Sequence, residues 1–196
     1  MNEDRSSDAI RLRALREGHD GALEEIVARW ERPLFAFAWR YVHQHADAED
    51  LVIAVLARLH AQRARLRPDT NLAAWLFTAL ANLCHNHHRW HRRHPEESLE
   101  VAGAGMSPLN VAAPAALPVD ALESTETAAT VRAAIDQLPH DQKTVLLLHY
   151  YEHLAYREIA AIVGCSERGV ETRLYRARQH LRVALRAFLN EIAPHA

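Results

Sequence analysis

Residues 156–178 read YREIAAIVGCSERGVETRLYRAR, and this stretch decides the fold of the C-terminal half. Ile159, Ile162 and Val163 recur at helical spacing until Gly164 interrupts them. Glycine permits the left-handed backbone that a tight turn after a helix requires. Ser166 follows as a good N-cap for a second helix. The stretch therefore predicts two short helices joined by a tight turn.

The second of these helices combines a narrow apolar stripe with a basic surface. Val170 and Leu174 lie four residues apart and form the predicted buried face. The residues left to project outward include four arginines, namely Arg168, Arg173, Arg176 and Arg178. A helix pair whose second helix is basic is the pattern of a helix-turn-helix that reads DNA.

Composition favours an all-α protein. The 196 residues are 49% hydrophobic and include only 6 Gly and 8 Pro, which suits one or two compact helical domains. No apolar run reaches the roughly 20 residues of a membrane span, so no membrane insertion is expected. The N-terminus lacks the apolar core of a signal peptide, and the only two cysteines form no CxxC motif. These features predict a protein of the reducing cytoplasm.

Charge is distributed unevenly and divides the chain. Residues 95–127 contain six acidic residues and no Lys, Arg or His, and removing them from the net charge of −2 leaves +4 elsewhere. The Pro- and Ala-rich segment 95–120 shows no sustained periodicity and predicts a flexible acidic linker. We therefore expect an N-terminal helical domain over 1–94 and a C-terminal helix-turn-helix domain over 121–196.

Periodic apolar residues predict the helices of both domains. In the N-terminal domain we expect helices over 8–17, 20–42, 47–66 and 71–93. In the C-terminal domain a helix ends before Pro139, Asp141 caps the next one, and the last helix runs from Ser166 towards Pro194. Pro33 lies inside the second helix and is expected to kink it.

Residues 85–94 read HNHHRWHRRH, which places five His, three Arg and one Trp at the end of a helix. This basic end is a candidate surface for DNA phosphates, and Trp90 a candidate for stacking on an unpaired base. For Trp90 we favour the alternative of a solvated tail in which its ring packs on a neighbour.

The histidines at this helix end raise the question of a metal site. His87 and His91 lie four residues apart, as do Cys84 and His88, a spacing that metal ligands use on helices. No carboxylate or second cysteine nearby completes a tetrahedral set, and the neighbouring arginines repel a cation. We therefore predict no metal here and expect a pH-dependent positive charge instead.

Three segments resemble one known family. Residues 138–182, LPHDQKTVLLLHYYEHLAYREIAAIVGCSERGVETRLYRARQHLR, resemble the promoter-reading C-terminal domain of bacterial extracytoplasmic-function (ECF) sigma factors. DAEDLVIAVLARLH (47–60) and NLAAWLFTALANLCHNH (71–87) resemble the two most recognisable helices of the same family's N-terminal domain. The order of these segments and the linker between them also match, over about residues 21–189.

The resemblance implies a sigma subunit of bacterial RNA polymerase, without cofactor or enzymatic activity of its own. Its implied partners are core RNA polymerase, promoter DNA and an anti-sigma factor. The residues implied to contact the polymerase clamp are Asp47, Glu49, Asp50, Leu51, Val52 and Val55. Those implied at the minus-ten element are Arg65, Arg67, Asn71, Asn82, His87, Arg89 and Trp90. Those implied in the major groove of the minus-thirty-five element are Ser166, Arg168, Gly169, Glu171, Thr172, Arg173, Arg176 and Arg178.

The chain departs from the family's pattern at four of these positions or their neighbours. Ile53 and Ala54 stand where the family usually has Gln-Glu, and Gly169 and Glu171 where it often has Thr and Lys. Two other hypotheses stay open at this point. One is a stand-alone helix-turn-helix regulator that never joins polymerase, and the other is a histidine-rich metal or pH sensor with a helix-turn-helix output.

Overall fold

The computed structural model describes residues 2–19, 21–94, 118–186 and 188, and these residues form helices without any strand. The predicted all-α class is therefore confirmed. The α-helices are α1 (Asn2–Glu17), α2 (Gly21–Val42), α3 (His45–Gln62), α4 (Leu72–His91), α5 (Pro118–Asp136), α6 (His140–Tyr150), α7 (Tyr156–Val163) and α8 (Glu167–Ala184), with a 3-10 turn over Arg63–Arg65. Among the described helices, none combines the length and apolar character that crossing a bilayer demands.

The ends of several helices follow the sequence prediction. Gly164 has φ +64° and ends α7 in the left-handed conformation. The Ser166 side chain accepts a hydrogen bond from the Gly169 N–H at 3.1 Å, and the Asn71 side chain accepts one from the Ala74 N–H at 3.1 Å. These contacts satisfy first-turn donors that a helix cannot pair internally.

Other boundaries differ from the prediction. The prediction that Asp141 caps α6 is wrong, because α6 begins at His140 and the Pro139 carbonyl accepts the N–H groups of Gln142 and Lys143. Asp141 lies instead in the first turn, where the helix dipole favours an acid. α2 continues through Pro33. The predicted linker 95–120 lies outside the described residues except for its last three, which open α5.

Helices α1 to α4 surround one apolar core. Phe37 of α2 is fully buried and meets Phe77 of α4 edge-on, with ring centroids 5.7 Å apart. Trp30 contacts the same Phe77 ring from the other end of α2 at 6.1 Å. Edge-to-face aromatic pairs add stability beyond the area that they bury. Trp30, Phe37 and Tyr41 of α2 therefore act as core residues, as predicted, whereas Trp39 is 39% exposed.

Helices α6 to α8 form the helix-turn-helix half. Ile159 of α7 and Val170 and Leu174 of α8 are buried, so the predicted apolar stripe is confirmed. The neighbourhood of Gly169 leaves little room for a side chain, because a Cβ at this position would lie 3.0 Å from the Cys165 sulfur. The tight entry into α8 therefore accounts for a glycine inside a helix.

The two halves pack against each other in this structure. α4 lies against α7, and the Thr78 hydroxyl lies 2.7 Å from the Ile162 carbonyl oxygen near the end of α7. The buried residues of both halves form one continuous cluster. The sequence had left the relative placement of the halves open.

A buried lysine forms the polar centre of this interface. Lys143 of α6 is 2% exposed, and its Nζ donates to the Tyr41 carbonyl and to Asp136 Oδ1, both at 2.8 Å. The ammonium also lies 4.2 Å from the centre of the Tyr41 ring. Because Tyr41 is at the C-terminal end of α2, the cation satisfies a carbonyl that the helix cannot pair.

Asp136 and His43 complete this network. His43 has φ +60° just after α2, and its Nε2 lies 2.9 Å from Asp136 Oδ1. Burial alone would raise the pKa of Asp136, but the hydrogen bonds from His43 and Lys143 hold this pKa below its usual value. Burial lowers the pKa of Lys143, against the attraction of Asp136. The carboxylate and the ammonium therefore depend on each other for their charge.

A second polar contact between the halves involves neutral histidine. His140 Nδ1 lies 2.6 Å from the Tyr41 hydroxyl, and its ring stacks on His85 with centroids 4.0 Å apart. Burial lowers the pKa of His140 to about 4, helped by His85, Lys143 and Arg173 and opposed by Asp141. The interface therefore holds His140 in its uncharged form at neutral pH.

We predict that Lys143→Met destabilises the protein by about 2–3 kcal/mol, because it leaves the Tyr41 carbonyl buried without a donor and Asp136 without its ammonium partner. The measurement is urea denaturation of the full chain. Arg182→Met, at an exposed position of α8, is the matched control and should change the free energy of unfolding little. Equal losses in the two variants would contradict the central role of Lys143.

The second prediction concerns the stability of the fold at acidic pH. The folded-state pKa of His140 is below the ordinary value of 6.5, so the unfolded chain binds the proton more readily. The free energy of unfolding should therefore fall as pH drops from about 6.5 to about 4, by about 1 kcal/mol once solvent screening of this partly exposed ring is allowed for. Denaturation at a series of pH values measures this slope. His140→Gln should flatten it, and an unchanged slope in that variant would refute the assignment.

Candidate nucleic-acid interface

The arginines of α8 divide into two groups. Arg168 and Arg176 are exposed. Arg173 is half-buried, and its Nε pairs with Asp141 Oδ2 at 3.3 Å. Arg178 is exposed, and its Nε donates to the Tyr150 hydroxyl at 2.9 Å. All four were predicted to project outward, and Arg168, Arg176 and Arg178 do so, but α6 supplies partners for Arg173 and Arg178.

The first turns of α8 carry shorter polar side chains. Glu171 and Thr172 are exposed, and the Thr172 hydroxyl donates to the Arg168 carbonyl at 2.9 Å. Ser166 and Gly169 are joined by the capping hydrogen bond described above. The Ser166 and Thr172 hydroxyls therefore shape the helix, while the Glu171 carboxylate points to solvent.

Sequence reasoning missed Tyr175 on this helix. Its side chain is 61% exposed, and it follows Glu171 by four residues on the exposed side of α8. The helical period could have revealed it: Leu174 and Ala177 lie on the buried face of α8, so Tyr175 points away from that face. An aromatic ring held in water beside Arg168 and Thr172 adds apolar and hydroxyl contact area to this face.

The loop after α3 presents two of the predicted N-terminal residues. Arg65 and Arg67 are exposed, and the Arg67 guanidinium donates to both carboxylate oxygens of Asp69, at 3.1 and 3.2 Å. Asn71 uses its side chain to cap α4. Asn71 therefore positions the loop and helix, whereas the two arginines face solvent.

The far end of α4 is exposed and basic. Asn82 and Arg89 face solvent, and Trp90 is 44% exposed. The Trp90 ring stacks on His94 with centroids 5.0 Å apart and meets His91 edge-on at 4.9 Å. Trp90 therefore packs on neighbouring histidines of its own helix end, in agreement with the favoured alternative.

Helix α3 separates an acidic exposed side from a buried side. Glu49 and Asp50 are exposed, Leu51 is partly buried, and Ile53 is 63% exposed. Val52 and Val55 are buried in the core, so their predicted contact with a partner is corrected: they support the helix from beneath. The spacing of the valines matches the apolar stripe that α3 turns towards α2 and α4.

Asp47 and His87, which the sequence assigned to different surfaces, lie together. Asp47 Oδ2 is 3.2 Å from His87 Nε2, and His87 Nε2 is 2.9 Å from His91 Nε2. The expectation that no carboxylate lies near these histidines is wrong, because packing of α3 on α4 brings in a residue 40 positions away. Burial and the His91 ring lower the pKa of His87, against the attraction of Asp47.

The other spaced pair, Cys84 and His88, forms no comparable site. Cys84 is fully buried in the core, and burial raises the pKa of its thiol to about 12. A thiol in that state is a poor metal ligand, because metals bind the thiolate. Within the described ranges, Asp47, His87 and His91 are the one group of three or more His, Cys, Asp or Glu residues that converge closely enough to bind an ion.

Two family models match this chain. Residues 26–94 match sigma-70 region 2, and residues 128–181 match sigma-70 region 4. The first region contains α3, the following loop and α4, and the second contains the helix-turn-helix. Both exposed basic surfaces therefore lie inside matched regions.

Similar proteins of known name agree with these matches. The ECF RNA polymerase sigma factor EcfG of Rhodopseudomonas palustris is 36% identical over 152 residues, covering 78% of each chain. The structure of CnrH in complex with the cytosolic domain of CnrY aligns with TM-score 0.66 at 23% identity, over 92% of this chain and 97% of that one. A co-crystal of the sigma factor RpoE with the anti-sigma factor NepR from Bartonella quintana aligns with TM-score 0.57 at 26% identity, over 85% and 98%.

Proposed function

Because this chain belongs to the ECF sigma factors of the sigma-70 family, we propose that its two halves bind separate elements of one promoter while α3 binds core RNA polymerase. As a sigma factor, the protein is a transcription initiation factor that directs RNA polymerase to particular promoters, and catalysis belongs to the polymerase. One observation supports the proposal that each half binds its own promoter element: each matched region bears its own exposed basic surface.

The C-terminal half would read the minus-thirty-five element through α8. Arg168 and Arg176 are exposed and suit phosphate contacts or guanine edges in the major groove. Glu171 lies between them and can accept a hydrogen bond from a cytosine amino group. Tyr175 extends the same face. This arrangement supports major-groove entry by the second helix of the motif.

The N-terminal half would engage the minus-ten element. Arg65 and Arg67 supply cations from the loop after α3, and Asn82 and Arg89 supply polar groups from α4. The exposed face of Trp90 can stack on a base displaced from the duplex, which offsets part of the cost of unstacking. Asn71 would act indirectly, through the cap that fixes the start of α4.

Core polymerase would bind the exposed side of α3. Glu49 and Asp50 offer carboxylates, and the exposed Ile53, about one turn further along α3, offers an apolar side chain. Ile53 stands where the resemblance predicts a polar residue, so this chain would bind its polymerase with more apolar area. Val52 and Val55 would hold the helix against the core.

Packing of α6 on α8 inside the C-terminal half has a consequence for DNA binding. Arg173 and Arg178 are engaged by Asp141 and Tyr150 of α6, so promoter binding by these two would require exchange of partners. The similar RpoE was crystallised with an anti-sigma factor, which supports a partner of that class for this chain.

The domain limits that follow are 1–94, a linker over 95–120, and 121–196. The family matches at 26–94 and 128–181 lie within these limits and support them.

The match to region 2 also speaks against a stand-alone helix-turn-helix regulator, which has no use for a polymerase-binding helix. We also propose a cytoplasmic location, because the protein would act together with polymerase on chromosomal DNA.

We predict that Arg176→Ala weakens promoter binding by holoenzyme and lowers the slope of log affinity against log salt by about 1, because one fewer phosphate counterion is released. Fluorescence anisotropy on a promoter fragment at several salt concentrations measures the slope. Arg132→Ala, an exposed arginine of α5, is the matched control and should leave it unchanged. An unaltered slope in Arg176→Ala would remove Arg176 from the DNA surface.

We predict that Asp50→Arg impairs assembly with core polymerase by at least about tenfold, because a partly desolvated charge pair at the interface becomes a repulsion. Its exposed side chain lies outside the core, so the thermal unfolding midpoint should stay unchanged. Glu31→Arg, an exposed reversal on α2, is the control. Affinity is measured by competition for labelled core polymerase. Wild-type assembly by Asp50→Arg would place the polymerase surface elsewhere.

A further inference from the structure

Three potential metal ligands converge where α3 begins and α4 ends. Asp47 lies in the first turn of α3, and His87 and His91 lie one turn apart on α4. One ligand atom from each side chain falls within 4.8 Å of the other two. Two separate helices therefore aim a carboxylate and two imidazoles at one point.

The spacing of these atoms suits a small cation. Zinc–nitrogen and zinc–oxygen distances of about 2.0–2.2 Å in a tetrahedron place ligand atoms roughly 3.3 Å apart. The observed separations are 3.2 Å between Asp47 Oδ2 and His87 Nε2, and 2.9 Å between His87 Nε2 and His91 Nε2. Small side-chain rotations would therefore open the group around an ion. Without an ion, the two facing ring nitrogens can satisfy each other only by sharing one proton.

The surroundings also favour a cation. All three side chains are partly buried, so they are held in place but remain reachable from solvent. His87 Nε2 is the ring nitrogen that faces both Asp47 Oδ2 and His91 Nε2. Arg89, two residues further on, is exposed and projects from α4 into water. The repulsion that the sequence suggested is thus moderated by the Asp47 carboxylate.

We propose that Asp47, His87 and His91 bind one divalent transition-metal cation, with Zn²⁺ as the ion that fits best. Two imidazoles and one carboxylate are ligands that zinc accepts, and water completes its coordination. Magnesium and calcium prefer oxygen ligands throughout, so this set discriminates against them. The cation cross-links the first turn of α3 to the last turns of α4.

Occupancy has a consequence that rests on the proposed function. Asp47 belongs to the helix proposed for core polymerase, and His87 to the helix proposed for the minus-ten element. An ion that holds both side chains withdraws them from those partners and fixes the angle between the two helices. Because this consequence depends on the sigma-factor assignments, metal binding itself is tested on the isolated full-length protein.

The test is titration of the full chain with Zn²⁺ in competition with a chromophoric chelator. We expect one zinc per chain, and a loss of affinity greater than about tenfold in each of Asp47→Asn, His87→Gln and His91→Ala, because these remove direct ligands. His94→Ala is the matched control, since His94 is exposed at the same helix end and should leave the affinity unchanged. Absence of zinc binding, or an equal loss in His94→Ala, overturns the proposal.

A second measurement keeps the test independent of folding defects. Asp47→Asn preserves the shape of the side chain, so its circular dichroism without metal should equal that of the wild type. Zn²⁺ should raise the thermal unfolding midpoint of the wild type and not that of Asp47→Asn, since an ion bound to the folded state stabilises it. Equal zinc-induced shifts in both proteins would also overturn the site. Neither readout requires polymerase or DNA.

Discussion

The ammonium group of Lys143 is the contact on which the arrangement of the two halves depends. It ties the C-terminal carbonyl of α2 to Asp136 at the end of α5, with both hydrogen bonds at 2.8 Å. A buried charge is costly unless its partners are complete, so this network makes the packed form specific as well as stable. His43 contacts Asp136 in the same seam, and His140, whose pKa burial lowers, makes the strength of the seam depend on protonation.

Packing of α6 on α8 inside the C-terminal half sets which cations are available to DNA. Arg168 and Arg176 face water, while Arg173 is paired with Asp141 on the neighbouring helix α6. A helix can therefore carry several arginines and yet offer only some of their charges to DNA. Helix α6 thus contributes Lys143 to the seam between the halves and Asp141 to an arginine pair inside the C-terminal half.

Neighbouring residues of α3 serve three different purposes. Val52 and Val55 fill the core, Asp50 and Ile53 face solvent, and Asp47 turns towards the histidines of α4. A residue one position along a helix points about 100° away, so adjacent positions differ in environment. The proposed contact with polymerase, the stability of the core and the proposed cation site thus share one short segment without competing for the same side chains, except at Asp47.

The sequence by itself determined what local chemistry controls. Gly164 and Ser166 predicted the turn and cap of the helix-turn-helix, and the apolar spacing of Val170 and Leu174 predicted its buried face. Those features depend on neighbours within one or two turns of the chain. Only the tertiary structure decided that Asp47 meets His87, that Arg173 pairs with Asp141, and that Lys143 is buried. Each of these depends on which faces of distant helices pack together, and periodicity along a single helix carries no record of the element that will cover it.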